Sequence, residues 1–364
     1  MPGLAMLLGF AVLGEVALRM VRFHYPSAAE RDVIWSRERD PQLFAKRFYE
    51  RDEREIWKPV PGAEVPWAPG EHLDPSGFRS APMSLEHTPG VVRIAVLGSG
   101  EALGVGLPRE QCWSSRLQQV LADAGERVEV LCAAVEDTTL RQGIERWRAE
   151  VRPYRPDLVV CTFAGVMEAR AANSGCSDDA RIEGNCGHGF PDYRQRARLL
   201  PAWTWRLRSV QCCAWIADVL DGDYWTWRAG VLDQERLAPL EDRFDAAGTR
   251  RVSWKEFSAL LPTLRDEVEH EGGKLLLFPI TGERALAGLA PAVRDYHAVL
   301  LETAQRQKIA KLSGMEFVEA AVREGAQLED FYAAGQLTAA GSDALARQIG
   351  GAIRPRLRDL RHAR

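Results

Sequence analysis

Four short stretches carry side chains that can do chemistry, and three of them share one kind of position. Gly98-Ser99-Gly100-Glu101, Ala134-Val135-Glu136-Asp137 and Gly165-Val166-Met167-Glu168 each follow directly on an apolar run. Between them they offer one hydroxyl and several carboxylates. Two carboxylates at one pocket rim can divide the acid and base roles of a hydrolytic reaction. The competing reading is that they are solvated loop acids. Nucleophilic catalysis would need Ser99 beside a base, and His188 in the Gly-rich fourth stretch, NCGHGF, is the candidate imidazole. A lone loop histidine otherwise reads as a surface residue. His297 falls inside a helical pattern (RDYHAVLL) and reads as structural, while Asp330 is a further acid to place. Residues 244–257 echo a calcium loop from Asp245 to Glu256. Ala247, Thr249 and Arg250 leave it too few oxygen ligands, so the stretch reads instead as a helix start with Trp254, Phe257 and Leu261 facing inward.

The elements that must position these residues alternate between strand and helix. VVRIAVLG (91–98), VEVLCAA (128–134) and DLVVCTFAG (157–165) are short apolar runs suited to buried parallel strands. Helical spacing runs over Gln111–Ala124 and Leu140–Val151. KLLLFPI (274–280) gives a fourth strand, Pro291–Lys311 a helix, GMEFVEA (314–320) a short fifth strand, and Thr338–Ile353 a closing helix. This alternation predicts a three-layer, doubly wound α/β domain over 91–358, with a five-stranded parallel sheet in flavodoxin-like order. Ligands in such a sheet bind beyond the carboxyl ends of the strands, where the first three stretches fall. The stretch from about 166 to 255 interrupts the alternation and reads as a mainly helical, Trp-rich insertion. It holds more than half of the eleven tryptophans, among them Trp225 and Trp227, which offer a stacking surface for sugar rings or an interfacial belt. Packing of the insertion onto the sheet is the plainer use for them. Residues 23–90 are rich in proline and read as an extended lead-in draped over the domain.

The chain has 364 residues, 46% hydrophobic and 27% charged, which excludes collagen, coiled coil and wholesale disorder. A net charge of −4 provides no basic excess for a phosphate backbone, so nucleic acid is not an expected partner. Mean hydropathy of −0.24 excludes a polytopic membrane protein. At the N-terminus, Leu4–Leu18 is apolar except for Glu15, and Arg19 and Arg22 follow. Glu15 and Arg19 stand at i, i+4 and can pair on a helix. Residues 1–22 are expected to be an export signal or single anchor, placing the protein in the cell envelope. The alternative is an amphipathic helix packed on a cytoplasmic domain. Among seven cysteines, Cys132 and Cys161 sit in strand-like runs as small hydrophobes, and Cys176 and Cys186 flank a loop they could bridge if exported. No CxxC pair suggests zinc, and nothing calls for a cofactor.

The order and spacing of several blocks carry a resemblance. GFRSAP (77–82), VVRIAVLGSGEALGVGLPREQCWSSRLQQVL (91–121), VEVLCAAV (128–135), RPDLVVCTFAG (155–165), GGKLLLFPI (272–280) and QLTAAGSDALARQI (336–349) resemble the SGNH, or GDSL, hydrolase family in its bacterial, membrane-tethered branch. The resemblance implies ester hydrolysis or acyl transfer from four blocks. Where the family has the nucleophilic Ser of G-D-S, this chain has Gly100, with Ser99 one residue early in place of the Asp. The oxyanion-hole Gly corresponds to Ala134. The Asn of G-x-N-D corresponds to Met167, or to Val166 if the register slips by one. The Asp and His of D-x-x-H correspond to Ala333 and Gln336.

Five replacements in five positions leave no nucleophile, base or side-chain oxyanion donor where the family keeps them. The first expectation is therefore an exported or membrane-tethered SGNH-like protein without esterase activity. Its cleft would bind glycan or acyl groups, or serve a membrane acyltransferase partner. The alternatives are an active esterase or O-acetyltransferase with a site rebuilt from Ser99, Glu101 and His188, and a structural module whose Trp-rich insertion makes the contacts.

Overall fold

In the computed structural model, residues 12–23, 48–52, 54–169, 177–183, 207–221, 250–286, 291–333 and 335–362 are described. The chain divides into two compact units, one of Asp40–Ala171 with Leu240–Arg364, the other of Met1–Arg39 with Ala172–Pro239.

The larger unit begins with β1 (Tyr49–Asp52) and β2 (Ile56–Pro59), an antiparallel ladder from Tyr49↔Pro59 to Asp52↔Ile56. The Asp52 carboxylate accepts the N–H groups of Arg54 and Glu55 across the turn. Its sheet is then built on β3 (Val92–Leu97), every residue of which is buried. A strand with helices on both faces has no wet side, which explains the unbroken VRIAVL. α1 (Gly100–Leu103) and α2 (Trp113–Asp123) lead to β4 (Val128–Cys132), and α3 (Leu140–Arg146) leads to β5 (Leu158–Cys161). Next come α4 (Trp254–His270), β6 (Lys274–Leu277), α5 (Pro291–Arg306) and β7 (Ala310–Lys311). α6 (Gly314–Arg323), the small hairpin of β8 (Tyr332–Ala333) and β9 (Gln336–Leu337), and α7 (Ala339–His362) complete it.

All neighbours in the main sheet are parallel, in the order β4-β3-β5-β6-β7. Counted within that sheet the order is 2-1-3-4-5, the flavodoxin-like winding expected from the sequence. Alternate residues feed two cores. Ala95, Leu97, Val159 and Leu277 meet α3, α4 and α5 through Ile144, Phe257, Leu261 and Tyr296. Ile94, Val96, Val160 and Leu276 meet α2 and α7 through Trp113, Leu117, Leu345 and Ile349. α7 runs close along α2: a Cβ on Gly350 would lie 3.0 Å from Val120 Cγ1, and Arg116 pairs with Asp343 at 2.6 Å.

Two details differ from the sequence reading. The fifth strand is β7, and 314–320 is instead the body of α6. Ser313 Oγ accepts the Glu316 N–H at 3.1 Å, so a cap starts a helix there, and Met315 and Val318 bury one helical face. Trp254 is 61% exposed, whereas Phe257 and Leu261 are fully buried. Helical side chains lean toward the N-terminus, so a first-turn residue covers ground beyond the core. Ser253 and Glu256 form a reciprocal capping box there, which gives Glu256 a role in starting α4.

In the smaller unit a helix covers 12–20 and another covers Arg208–Asp221. Among the described residues no helix is long and apolar enough to cross a membrane. Cys176, Cys186, His188, Trp225 and Trp227 lie outside the described residues, as do residues 244–249 of the 244–257 stretch.

Candidate functional site

The site region starts at the turn that leaves β3. A Cβ on Gly98 would lie 1.8 Å from Thr162 Oγ1 and 2.8 Å from Ala102 Cβ, so only glycine lets this turn close on the loop after β5. Ser99 is extended, and its carbonyl accepts the N–H groups of Ala102 and Leu103, both at 3.0 Å. Its hydroxyl caps nothing and is buried without a hydrogen-bond partner. Gly100 opens α1, which ends at Gly104 in the left-handed region (φ 74°). Arg79, from the GFR of the lead-in, is buried and donates to the carbonyls of Leu103 (2.8 Å), Gly104 (2.6 Å) and Leu107. The lead-in therefore locks the far end of the turn by satisfying carbonyls that a four-residue helix leaves open.

Three chain segments converge on Gly100. A Cβ there would have Glu136 Cγ at 3.4 Å, Gln336 Oε1 at 3.7 Å and Val105 Cγ2 at 3.7 Å. Gln336 reaches this point from β9, and its Oε1 is buried without a partner. On the other lip, a Cβ on Gly282 would lie 3.6 Å from both Glu101 Oε1 and the Gly335 carbonyl, and the Gly335 N–H donates to Glu283 Oε2 at 3.3 Å. Burial, with the Glu101 charge nearby, pushes the Tyr332 hydroxyl far above its ordinary value, so Tyr332 stays a neutral phenol.

No known family profile matches the chain, and no curated protein matches it. Among solved structures it is similar to a lipase/acylhydrolase from Enterococcus faecalis, 15% identical, with a TM-score of 0.43 over 73% of this chain and 96% of that one. It is similar also to the acetyl xylan esterase AlAXEase (13%, TM-score 0.44, 72% and 100%) and to the acetylxylan esterase Axe2 from Geobacillus stearothermophilus (12%, TM-score 0.43, 74% and 94%). The sheet order and the turn after β3 stand with the sequence blocks. The fold is the doubly wound α/β architecture that the resemblance to the SGNH hydrolases implies.

Of the family positions, the structure brings Gly100 and Gln336 together. Ala333 pairs with Gln336 in the hairpin and is exposed. Ala134 and Met167 are buried in the turns after β4 and β5. Gly165 has φ 89°, and a Cβ on it would lie 2.1 Å from Tyr296 Cβ, so this block-three glycine is required by packing.

The acids near the strand ends divide. Glu101 and Glu136 stand beside Gly282 and Gly100 at the distances given above. Glu168 does not: it is buried, and its Oε1 accepts the Leu140 N–H at 2.6 Å, a carboxylate at the start of α3 where the helix dipole favours it. Asp137 presents its carbonyl to Arg251 Nη1 at 2.7 Å, and Asp330 Oδ2 accepts the Gln327 N–H at 3.0 Å in a short capping turn. Imidazoles have other employment too. His297 is buried against Ser313 Oγ (3.2 Å), with burial lowering its pKa, and His87 meets Asp157 at 3.0 Å, before β5 and so at the opposite end of the sheet. Thiol chemistry is disfavoured: burial pushes Cys112 and Cys161 up to about 12, far from the thiolate a nucleophile needs. Among the described residues no three His, Cys, Asp or Glu side chains gather to hold a metal ion.

Sequence reasoning missed what lies under the loop after β4. Arg146 is buried, donates from Nε to the Ala133 carbonyl at 2.8 Å and ion-pairs with Glu55 (3.2 Å) and Glu150 (2.6 Å). Desolvation lifts the Glu55 carboxyl to about 7 against the pull of Arg146. Arg251 adds a bond to Gln142 Oε1 (2.6 Å) and lies over the Trp57 ring, whose Nε1 donates to the Glu136 carbonyl at 3.4 Å. Only the uninterrupted helical pattern of Leu140–Val151, with Arg146 on its inner face, carried a trace of this in the sequence.

Proposed function

We propose that the chain is an SGNH-like protein of the cell envelope that does not hydrolyse esters, and that its cleft binds glycan or acyl groups. One observation carries the reading: the nucleophile position is a bare Gly100 facing the amide of Gln336, and the adjacent Ser99 hydroxyl has no hydrogen-bond partner. A serine is a weak nucleophile until a base takes its proton, and an amide is no base near pH 7. Nearest to Gly100 are the apolar Val105 and the Glu136 and Gln336 side chains, whose carboxylate and amide groups are able to fix a bound hydroxyl-bearing molecule. The same cleft suits a protein that presents acyl or glycan groups to a membrane acyltransferase. A rebuilt esterase site is the competing reading, and Ser99 gives it no activated hydroxyl.

Hydrolysis of short-chain aryl esters and acetylated xylan tests this. The wild-type chain and Ser99→Ala are expected to show the same background rate. The triple variant Gly100→Ser/Ala333→Asp/Gln336→His is expected to rise above it. Without the oxyanion Asn its rate stays about 10²–10³ below that of a complete site. A wild-type rate above background that disappears in Ser99→Ala would overturn the proposal.

A further inference from the structure

Seven of the ten large apolar side chains exposed among the described residues belong to the smaller unit. Val12, Leu13, Val16 and Met20 fall within a 100° arc of the 12–20 helix, and Met20 is 79% exposed. Ile216 and Leu220 share a face of the Arg208–Asp221 helix at i, i+4, and Leu220 is 80% exposed. The two helices are joined at two levels. Glu15 accepts the backbone N–H groups of Arg208 (2.9 Å) and Ser209 (2.8 Å), the Ser209 hydroxyl (2.9 Å) and Arg19 Nε (2.8 Å). Further along, the Phe23 and Trp215 rings meet edge-on at 6.2 Å. Eight residues on one side and about seven on the other separate the two joints. The helices therefore run side by side in the same direction.

Glu15 is thus the N-terminal cap of the second helix. Burial would raise its carboxyl, but the four donors outweigh it and hold it at about 2, so the cap stays ionised. A carboxylate held this way is no obstacle to a lipid surface. Arg19 and Arg22 adjoin the exposed Met20 and Val21, and Arg208 stands beside Glu15. Of the acids on the described helices, Asp178 is buried, Asp179 is half-buried, Glu183 ends the short helix Asp178–Glu183, and Asp218 and Asp221 fall in the last turn of the second helix, at the opposite end from Arg208. With 14 residues that include Arg208, Gln211, Asp218 and Asp221, this second helix is too short and too polar to span a bilayer. An amphipathic helix with these flanks lies in the headgroup plane.

We infer that the smaller unit is a two-helix seat for an anionic lipid surface, in which the 12–20 helix is a permanent partner of Arg208–Asp221 and not a removable leader. This goes beyond the reading of the cleft and stands without it. Flotation of the full chain with vesicles of phosphatidylcholine alone, and with about a third phosphatidylglycerol, tests it. The wild type is expected to float with the anionic vesicles and to be released by high salt. Met20→Asp/Leu220→Asp is expected to lower partitioning by about tenfold or more, and Arg22→Glu by about fivefold, with thermal unfolding of the chain otherwise unchanged. A wild type that stays in solution with both vesicles overturns the inference, as does a double variant that floats like the wild type. A concentration-dependent dimer abolished by the double substitution would assign the stripes to a second copy and overturn it too. So would a mature chain whose first residue lies beyond Arg22.

Discussion

The underside of the loop after β4 and the cleft above Gly100 are neighbours with opposite chemistry. Below the loop, Arg146 is held by the Ala133 carbonyl, Glu55 and Glu150, and Arg251 by Asp137 and Gln142. Above it, Ser99 Oγ and Gln336 Oε1 are buried with no partner. Below the loop charge is committed to holding the scaffold, while the place where chemistry would sit keeps two unmatched hydrogen-bonding groups beside Glu101 and Glu136. The same split runs through the blocks themselves. Gly98 and Gly165 stand where a Cβ would collide with Thr162 or Tyr296, whereas a Cβ at Gly100 meets nothing nearer than 3.4 Å. Steric need explains the first two glycines and leaves the third unconstrained by packing.

The sharpest way to break this contrast is Arg146→Ala. It leaves the Glu55 carboxylate buried without its cation, and a loss of about 3–5 kcal/mol is expected in urea unfolding. Gln336→Ala, on the cleft side, is expected to change stability by less than about 1 kcal/mol. Equal losses would dissolve the distinction. An intermediate effect is expected at Glu55 and shows in its pH dependence. Its carboxyl rises from 4.5 in the unfolded chain to about 7 when folded, so its contribution is complete below 4.5 and lost as pH rises through 7. The unfolding midpoint of the wild type should fall between pH 5 and 8, and Glu55→Gln should flatten that fall. A slope unchanged by the substitution would show that Glu55 titrates normally. The smallest effect belongs to Ser99→Ala. Removing an orphaned hydroxyl is expected to leave stability unchanged or raise it by up to about 1 kcal/mol. A clear destabilisation would mean that Ser99 has a structural bond.

Much of the fold was legible because the strands are buried on both faces and so read as apolar runs. The failure at the fifth strand is instructive. β7 is only Ala310–Lys311, both exposed at the sheet edge, and nothing about two such residues marks a strand. GMEFVEA looked apolar enough to be one, but the Ser313 cap decided for helix. At the site, spacing sufficed to bring Gly100 and Gln336 into one place. It did not show that Glu168 turns away to start α3, because that depends on where a helix from another part of the chain begins. The Arg146 cluster was hidden for a related reason: Glu150 stands at i+4 and is a local partner, but Glu55 and the Ala133 carbonyl come from distant parts of the chain.

The close packing of α7 along α2 also has a consequence in time. The chain is made from its N-terminus, so α2 and the first three strands of the sheet exist long before Ala339–His362 can cover them. Until then Leu117, Leu121 and the sheet residues beneath them lack their lid. Translation products that stop short of Ala339 would carry that face uncovered, and chaperones and proteases would meet them as unfinished folds rather than as shortened proteins.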